Sequence, residues 1–462
     1  MQHRGRHRRR RRGRALRATL AGTALALTAA ATLISTSQAV GGDDPGGLTR
    51  VTAQAETAPF RLHEELTAPG TLDTLSRAMG GDVGVHGVLA SADRTMRDRS
   101  GCDAAETDAL PVKPAATRAY CWDRRDATTT RWLPRTVTTS GDAHDDGRWG
   151  PDRVVLSGWA HDDRRAGGPA ADRGLARIAF IDANDPARLA YRWVLLVAPR
   201  ADGKDYTAVH ARLSGMVWYQ DKLIAAARGS LLVFDLHRIL RANVDSRAIG
   251  RVKGGFAAHG YRYVLPAVGS YRLTGGPCST ADDRAAPCFS ALSLDRTSVP
   301  ASLVASESSR ARGSDRAAHV WRYAYSTGPG RGGLLAADAR GEVRAAEVFE
   351  TEGAGVLGVL SHRRDGAGRA DWYVDRAPTS DGRRGTLWRQ TTFTAKAARC
   401  GPDESHACWG RHTASLSYWR ETGELWTLTE GVPGGDGGPG DGRAGGRVLY
   451  AVPLGAVDDA VE

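Results

Sequence analysis

Residues 213–239, LSGMVWYQDKLIAAARGSLLVFDLHRI, leave this chain little choice of fold. Three short runs, 215–219, 222–227 and 230–236, consist mainly of β-branched, aromatic and aliphatic residues. Only Gln220-Asp221 and Arg228-Gly229 separate them. Runs of this length and composition, broken by polar or glycine pairs, form strands joined by tight turns. A lone meander cannot bury its own faces, so it has to pack on further layers.

The rest of the chain supplies those layers. Strand-like runs recur at 85–91, 118–122, 131–139, 153–160, 175–182 and 192–198, and about a dozen more follow between 262 and 452. Long amphipathic helices are scarce. So many short strands with Gly- and Asp-rich turns predict an all-β protein, and a single sandwich does not use this number. The predicted architecture is a β-propeller of four-stranded antiparallel blades. Five rough units, 130–205, 206–260, 261–330, 333–395 and 410–456, predict five blades, with six as the alternative. The last unit has three clear strands, and residues 131–139 are the expected strand that completes it.

The N-terminus follows a different logic. Nine arginines and no acidic residue precede Ala39, and the uncharged stretch 18–34 is rich in Ala, Leu and Thr. Small residues at Ser37 and Ala39 complete the pattern of a cleaved signal peptide. Residues 1–39 are therefore expected to direct secretion, 40–80 to form a flexible tether with a short helix, and 81–462 to form one propeller domain. An uncleaved membrane anchor is the alternative, although the stretch is short for a span. Removing the leader changes the charge argument. The whole chain carries a formal +11, but beyond Ala39 it has 54 basic against 52 acidic side chains. That balance gives no electrostatic footprint for nucleic acid.

Six cysteines fall into local pairs: Cys102 with Cys121, Cys278 with Cys288, and Cys400 with Cys408. An even count in a secreted chain predicts disulfides, and the close spacing favours local pairing. The spacings lack the CxxC pairs typical of zinc sites.

Several runs, among them AYCWD, GMVWYQDKLIAA, LLVFDL, GYRYVLPAVGSYR and ELWTLTE, resemble those of secreted β-propeller-like proteins of Gram-positive actinobacteria. The resemblance spans about 120–452 and rests on strand cores and turns. It implies fold and location and carries over no catalytic residue.

Candidate chemistry lies in loops longer than the two-residue turns of 213–239. Two HDD triplets, His144-Asp145-Asp146 and His161-Asp162-Asp163, flank one strand and so belong to opposite ends of it. At the first end, Asp142, Asp145, Asp146, Asp182 and Asp185 offer hard oxygen ligands suited to Ca²⁺. Asp and Asn are also ordinary turn residues, which explains them without an ion. At the other end, His210, His161, Asp162 and Asp163 are candidates for general acid–base work, and solvated loop charge is the plain alternative. Tyr261, Arg262, Tyr271 and Arg272 form an aromatic–basic stretch that suits a sugar or an anion. Twelve tryptophans also suit sugars, but Trp218, Trp388, Trp419 and Trp426 lie within strands, where packing claims them. The GxGxxG match at 353–358 leads into a strand, so it is no dinucleotide fingerprint. No nucleophile elbow, HExxH or P-loop is present. The reading is a secreted, monomeric, non-catalytic propeller that binds an extracellular carbohydrate or protein. The alternative is a secreted propeller hydrolase or lyase with a His/Asp site on one face, with or without Ca²⁺.

Overall fold

The structure is a computed structural model and describes residues 44–162, 172–227, 229–279, 285–307, 317–353, 355–364, 366–378, 383–433 and 444–461. The expected leader and Asp163 lie outside the described residues. Pro45–Glu462 forms one compact unit.

The fold is all-β and propeller-type. Four-stranded antiparallel meanders follow one another along the chain. The first comprises Trp132–Thr139, Val154–His161, Ala176–Asp182 and Ala190–Pro199. The second is the stretch singled out from sequence, Met216–Tyr219, Lys222–Ala227 and Ser230–Asp235, with Tyr263–Leu273 added outside it. The third runs Phe289–Asp295, Ser302–Glu307, Ala318–Ala324 and Glu347–Thr351. The fourth runs Val356–His362, Asp371–Arg376, Thr386–Gln390 and Ala395–Ala397. The last takes Thr413–Trp419, Glu424–Thr429 and Val448–Pro453 from the C-terminal region and Arg118–Cys121 from the N-terminal region. The first strand of each meander is innermost, and these strands touch in cyclic order, the last packing on the first.

Three expectations need correction. The strand that completes the last meander is Arg118–Cys121, paired to Val448–Ala451, and not 131–139. Residues Trp132–Thr139 are instead innermost in the first meander, where Thr136 and Thr138 are small enough to be buried between strands. Residues 85–91 are not a strand. Val85, Val88 and Leu89 have helical spacing and bury one face of the helix Gly84–Leu89 in the same core as the first and second meanders. Residues 45–80 are integrated into the fold and do not form a tether. Thr49–Val51 adds to the outer strand of the third meander and Leu62–Leu66 pairs with Tyr263–Leu273, because Leu48, Phe60 and Leu62 have apolar surface to bury. The short helix expected there is Pro69–Ala78, with Leu72 and Leu75 buried.

All three cysteine pairs are disulfides: Cys102–Cys121, Cys278–Cys288 and Cys400–Cys408. Such bridges suit an oxidising compartment. Trp218, Trp388, Trp419 and Trp426 are at most 4% exposed. Among the described residues, no helix is long and apolar enough to cross a membrane.

One buried charge sets a pH response. Asp375, on the second strand of the fourth meander, is fully buried, and neither carboxyl oxygen has a well-formed hydrogen bond. Burial pushes its carboxyl up to about 8, weakly opposed by the Thr413 hydroxyl. A folded-state value raised this way gives stability that is complete below the ordinary aspartate value and lost as pH rises through about 8. Asp375→Asn should therefore lose less stability than the parent protein between pH 5 and pH 9, by roughly a few kcal/mol. Denaturant melts of both proteins at the two pH values check this, and parallel losses would refute it.

Candidate functional site

The turn after the innermost strand of the first meander organises one mouth of the ring. There the short helix Ser140–Ala143 presses Gly141 onto Trp419, where a Cβ at residue 141 would lie 2.6 Å from the indole. Asp142 is buried, and its Oδ2 accepts hydrogen bonds from Thr138 (2.8 Å) and Ser417 (2.7 Å). Burial pushes the Asp142 carboxyl up to about 6, against those two hydrogen bonds and the nearby Arg296 cation. Arg296, following the innermost strand of the third meander, donates to the Asp142 carbonyl and to Asp145 Oδ1, each at 2.6 Å. Its guanidinium lies 5.3 Å from the Tyr219 ring centroid, a cation–π contact. The mouth is thus spanned by one arginine.

Beside this plug opens a cleft of about 780 Å³. Its wall is residues 144–152, its flanks are the turn Gln220-Asp221 and His237, and the N-terminal turn of Gly84–Leu89 closes it. Trp149 is half-buried and anchored on Trp218, with ring centroids 5.2 Å apart. His144 stacks on it at 5.5 Å and His237 tilts against it at 4.9 Å. Both histidines are exposed. Asp152 is only 6% exposed, and backbone hydrogen bonds with Trp149 hold it in a tight turn. Its Oδ1 accepts from Asn184 Nδ2 at 3.2 Å and its Oδ2 faces His86 Nδ1 at 2.9 Å. An ionised carboxylate can only accept, so Asp152 fixes the Nδ1–H tautomer of His86 and leaves Nε2 as the free ring nitrogen. A histidine oriented by a carboxylate can take up a proton, and an indole beside imidazoles can stack on an apolar face.

The sequence candidates are distributed as follows. Asp145 is exposed and holds Arg296. Asp146, Asp182 and Asp185 each accept a backbone N–H in their own turn. No three of Asp142, Asp145, Asp146, Asp182 and Asp185 bring ligand atoms together. Among the described residues the one such group is Cys102, Glu106 and Cys121, whose sulfurs are already bonded to each other. His210 is exposed and its Nδ1 meets the Arg173 carbonyl at 2.7 Å. His161 is buried edge-on against Trp132, and burial lowers its pKa below the usual imidazole value. Asp162 follows at the strand end. Tyr261 accepts from Arg177 at 3.2 Å, and Arg262 lies 5.7 Å from the Tyr263 ring. Tyr271 is fully buried, donating to Glu64 at 2.9 Å, and Arg272 pairs with Glu65 on the surface. Tyr261 lies in the turn before the strand Tyr263–Leu273 and Tyr271 near that strand's far end, roughly 25 Å along it at 3.3 Å per residue, so the four residues form no single site.

His86, Trp149, Asp152 and His237 were not among the sequence candidates. The available signal was the length of loop 140–152 and its histidine, His144. Nothing local linked that loop to His86, which is 66 positions from its partner Asp152.

No protein-family model matches the chain, and no curated protein matches it. Solved structures with a similar fold include a luciferin-regenerating enzyme, at 9% identity and TM-score 0.31, covering 71% of this chain and 93% of that one. A GH43_1 enzyme from Xanthomonas citri matches at 12% identity and TM-score 0.29, covering 83% and 93%. The RRP9 WD40 repeats match at 11% identity and TM-score 0.26, covering 74% and 98%. At these scores no residue role transfers.

The tautomer assignment is directly measurable. Nitrogen-15 NMR of His86 at pH 8 should report a protonated Nδ1, and Asp152→Ala should shift the ring towards the Nε2–H form. An unchanged tautomer in the variant would show that Asp152 does not orient His86.

Proposed function

We propose that this chain is a secreted, disulfide-stapled propeller with five blades, and that it binds an extracellular carbohydrate in the three-histidine cleft. The observation that carries the reading is Trp149 set between His144 and His237. The exposed rings of His144 and His237, backed by that indole, offer flat surface for the C–H face of a sugar ring. His86, Gln220 and Asp221 surround it with hydrogen-bonding groups for hydroxyls. The open cleft has about 780 Å³ of space, enough for a short sugar chain. Secretion is supported by the N-terminal leader pattern and by the three disulfides.

The Asp152–His86 pair favours a second reading, a hydrolase or lyase. The described lining contributes no Ser, Thr, Cys or Lys, so covalent catalysis by such a side chain has no support. His86 Nε2 would instead deprotonate a water or a substrate carbon.

An array of soluble glycans, read with purified protein, distinguishes the two. Binding should fall at least tenfold in Trp149→Ala and stay unchanged in His210→Ala. Product release that His86→Ala abolishes would establish the enzyme. Retention of no glycan, or equal binding by Trp149→Ala, would reject the carbohydrate reading.

A further inference from the structure

A separate cleft of about 530 Å³ runs between the third and fourth meanders. It opens at the turns that follow their innermost strands. Its acidic groups are already engaged. Asp295 Oδ2 accepts from Arg322 (2.9 Å) and Ser361 (2.8 Å), and Asp295 Oδ1 accepts from Thr297 and Ser298. Glu347 is held between Arg322 (3.1 Å) and Arg50 (3.3 Å). Asp371 pairs with Arg364 at 2.7 Å. Arg322 also lies 5.0 Å from the Trp372 ring.

Two cations are left over. Arg363 and Arg369 line the cleft, are exposed, and have no carboxylate partner among the described residues. Arg363 is steered by its Nη2, which donates to the Thr297 carbonyl at 2.7 Å. The rim carries a second independent signal. Four large hydrophobic residues are exposed among those described, and two of them stand here. Phe393 is 80% exposed on the turn that lines the cleft, and Val299, 95% exposed, follows the lining residue Ser298. Thr391 and Thr392 line the same wall beside Phe393.

We infer that this cleft binds an acidic oligosaccharide built of uronate units, with a carboxylate held by Arg363 and Arg369 and a sugar ring stacked on Phe393. Guanidinium groups match carboxylates in geometry and charge. An exposed aromatic ring complements the C–H face of the same sugar. The cavity lies in the size range that holds a small ligand, so a short oligomer fits. The inference is independent of the three-histidine cleft, because the two sites share no residue.

Isothermal titration of the intact protein with trigalacturonate, and with the neutral galactotriose as control, tests it. The uronate should bind and the neutral trimer should not. Raising salt from 20 to 200 mM should weaken binding several-fold, as expected for an exposed ionic contact. The double variant Arg363→Ala/Arg369→Ala should lose at least tenfold in affinity and Phe393→Ala several-fold, while His210→Ala should leave uronate binding unchanged. All three sites are exposed, and circular dichroism confirms that each variant is folded. No binding of trigalacturonate, equal binding of galactotriose, or full affinity in the arginine double variant would overturn the inference.

Discussion

The innermost strands converge on one axis in this fold, and where the first meander meets the last and the third meets the fourth, buried polar side chains pair across the seam. Thr136 donates to Ser415 at 3.1 Å, Thr139 faces Ser417 at 3.4 Å, and Ser417 donates to Asp142 at 2.7 Å, all of them buried. On the opposite side Ser361 donates to Asp295 at 2.8 Å. Each contact joins strands or turns of neighbouring meanders, so the hydroxyls stitch the first meander to the last and the third to the fourth. A buried hydroxyl without a partner costs about 1–3 kcal/mol, which makes this seam selective for Ser and Thr at these positions. Bulkier apolar residues are relegated to the spaces between meanders, where the tryptophans sit.

That constraint determines where function can be placed. Arg296 spans one mouth of the axis, and the clefts of ligand size lie in gaps between neighbouring meanders. Both clefts are such gaps. One lies between the first and second meanders and is lined by histidines and an indole. The other lies between the third and fourth and is lined by arginines and a phenylalanine. Turns and a short helix line the first cleft, whereas strand residues such as Arg322, Glu347 and Trp372 contribute to the second. In this arrangement Asp142 is a seam residue, its Oδ2 held by Thr138 and Ser417.

Much of the architecture was legible in the sequence because its signals are local. Period and turn chemistry identify 213–239 as a meander, and short spacing identifies the three disulfides. The helix at Gly84–Leu89 was misread because Val85, Val88 and Leu89 also suit a strand when read as a short apolar run. The strand Arg118–Cys121 was read as a strand, but its partner, 448–451, lies more than three hundred residues away and carries no local mark. The site was legible only as a place: loop 140–152 was flagged for its length, and His144 for its neighbours. The grouping of His86, Asp152 and His237 depends on which turns the ring brings side by side, and single-sequence patterns do not encode that. The arginine cleft was hidden for a related reason. Arg363 and Arg369 are unremarkable until their acidic neighbours are seen to be paired elsewhere.

The central claim is that ligand binding belongs to the gap beside the axial plug and not to the axis or the outer strand edges. Hydrogen exchange, measured with and without the first glycan that the array retains, tests it most directly. Protection should concentrate in the peptides covering 83–86, 144–152 and 220–237. Protection confined to peptides 206–212 and 259–272, with 144–152 unchanged, would contradict the account.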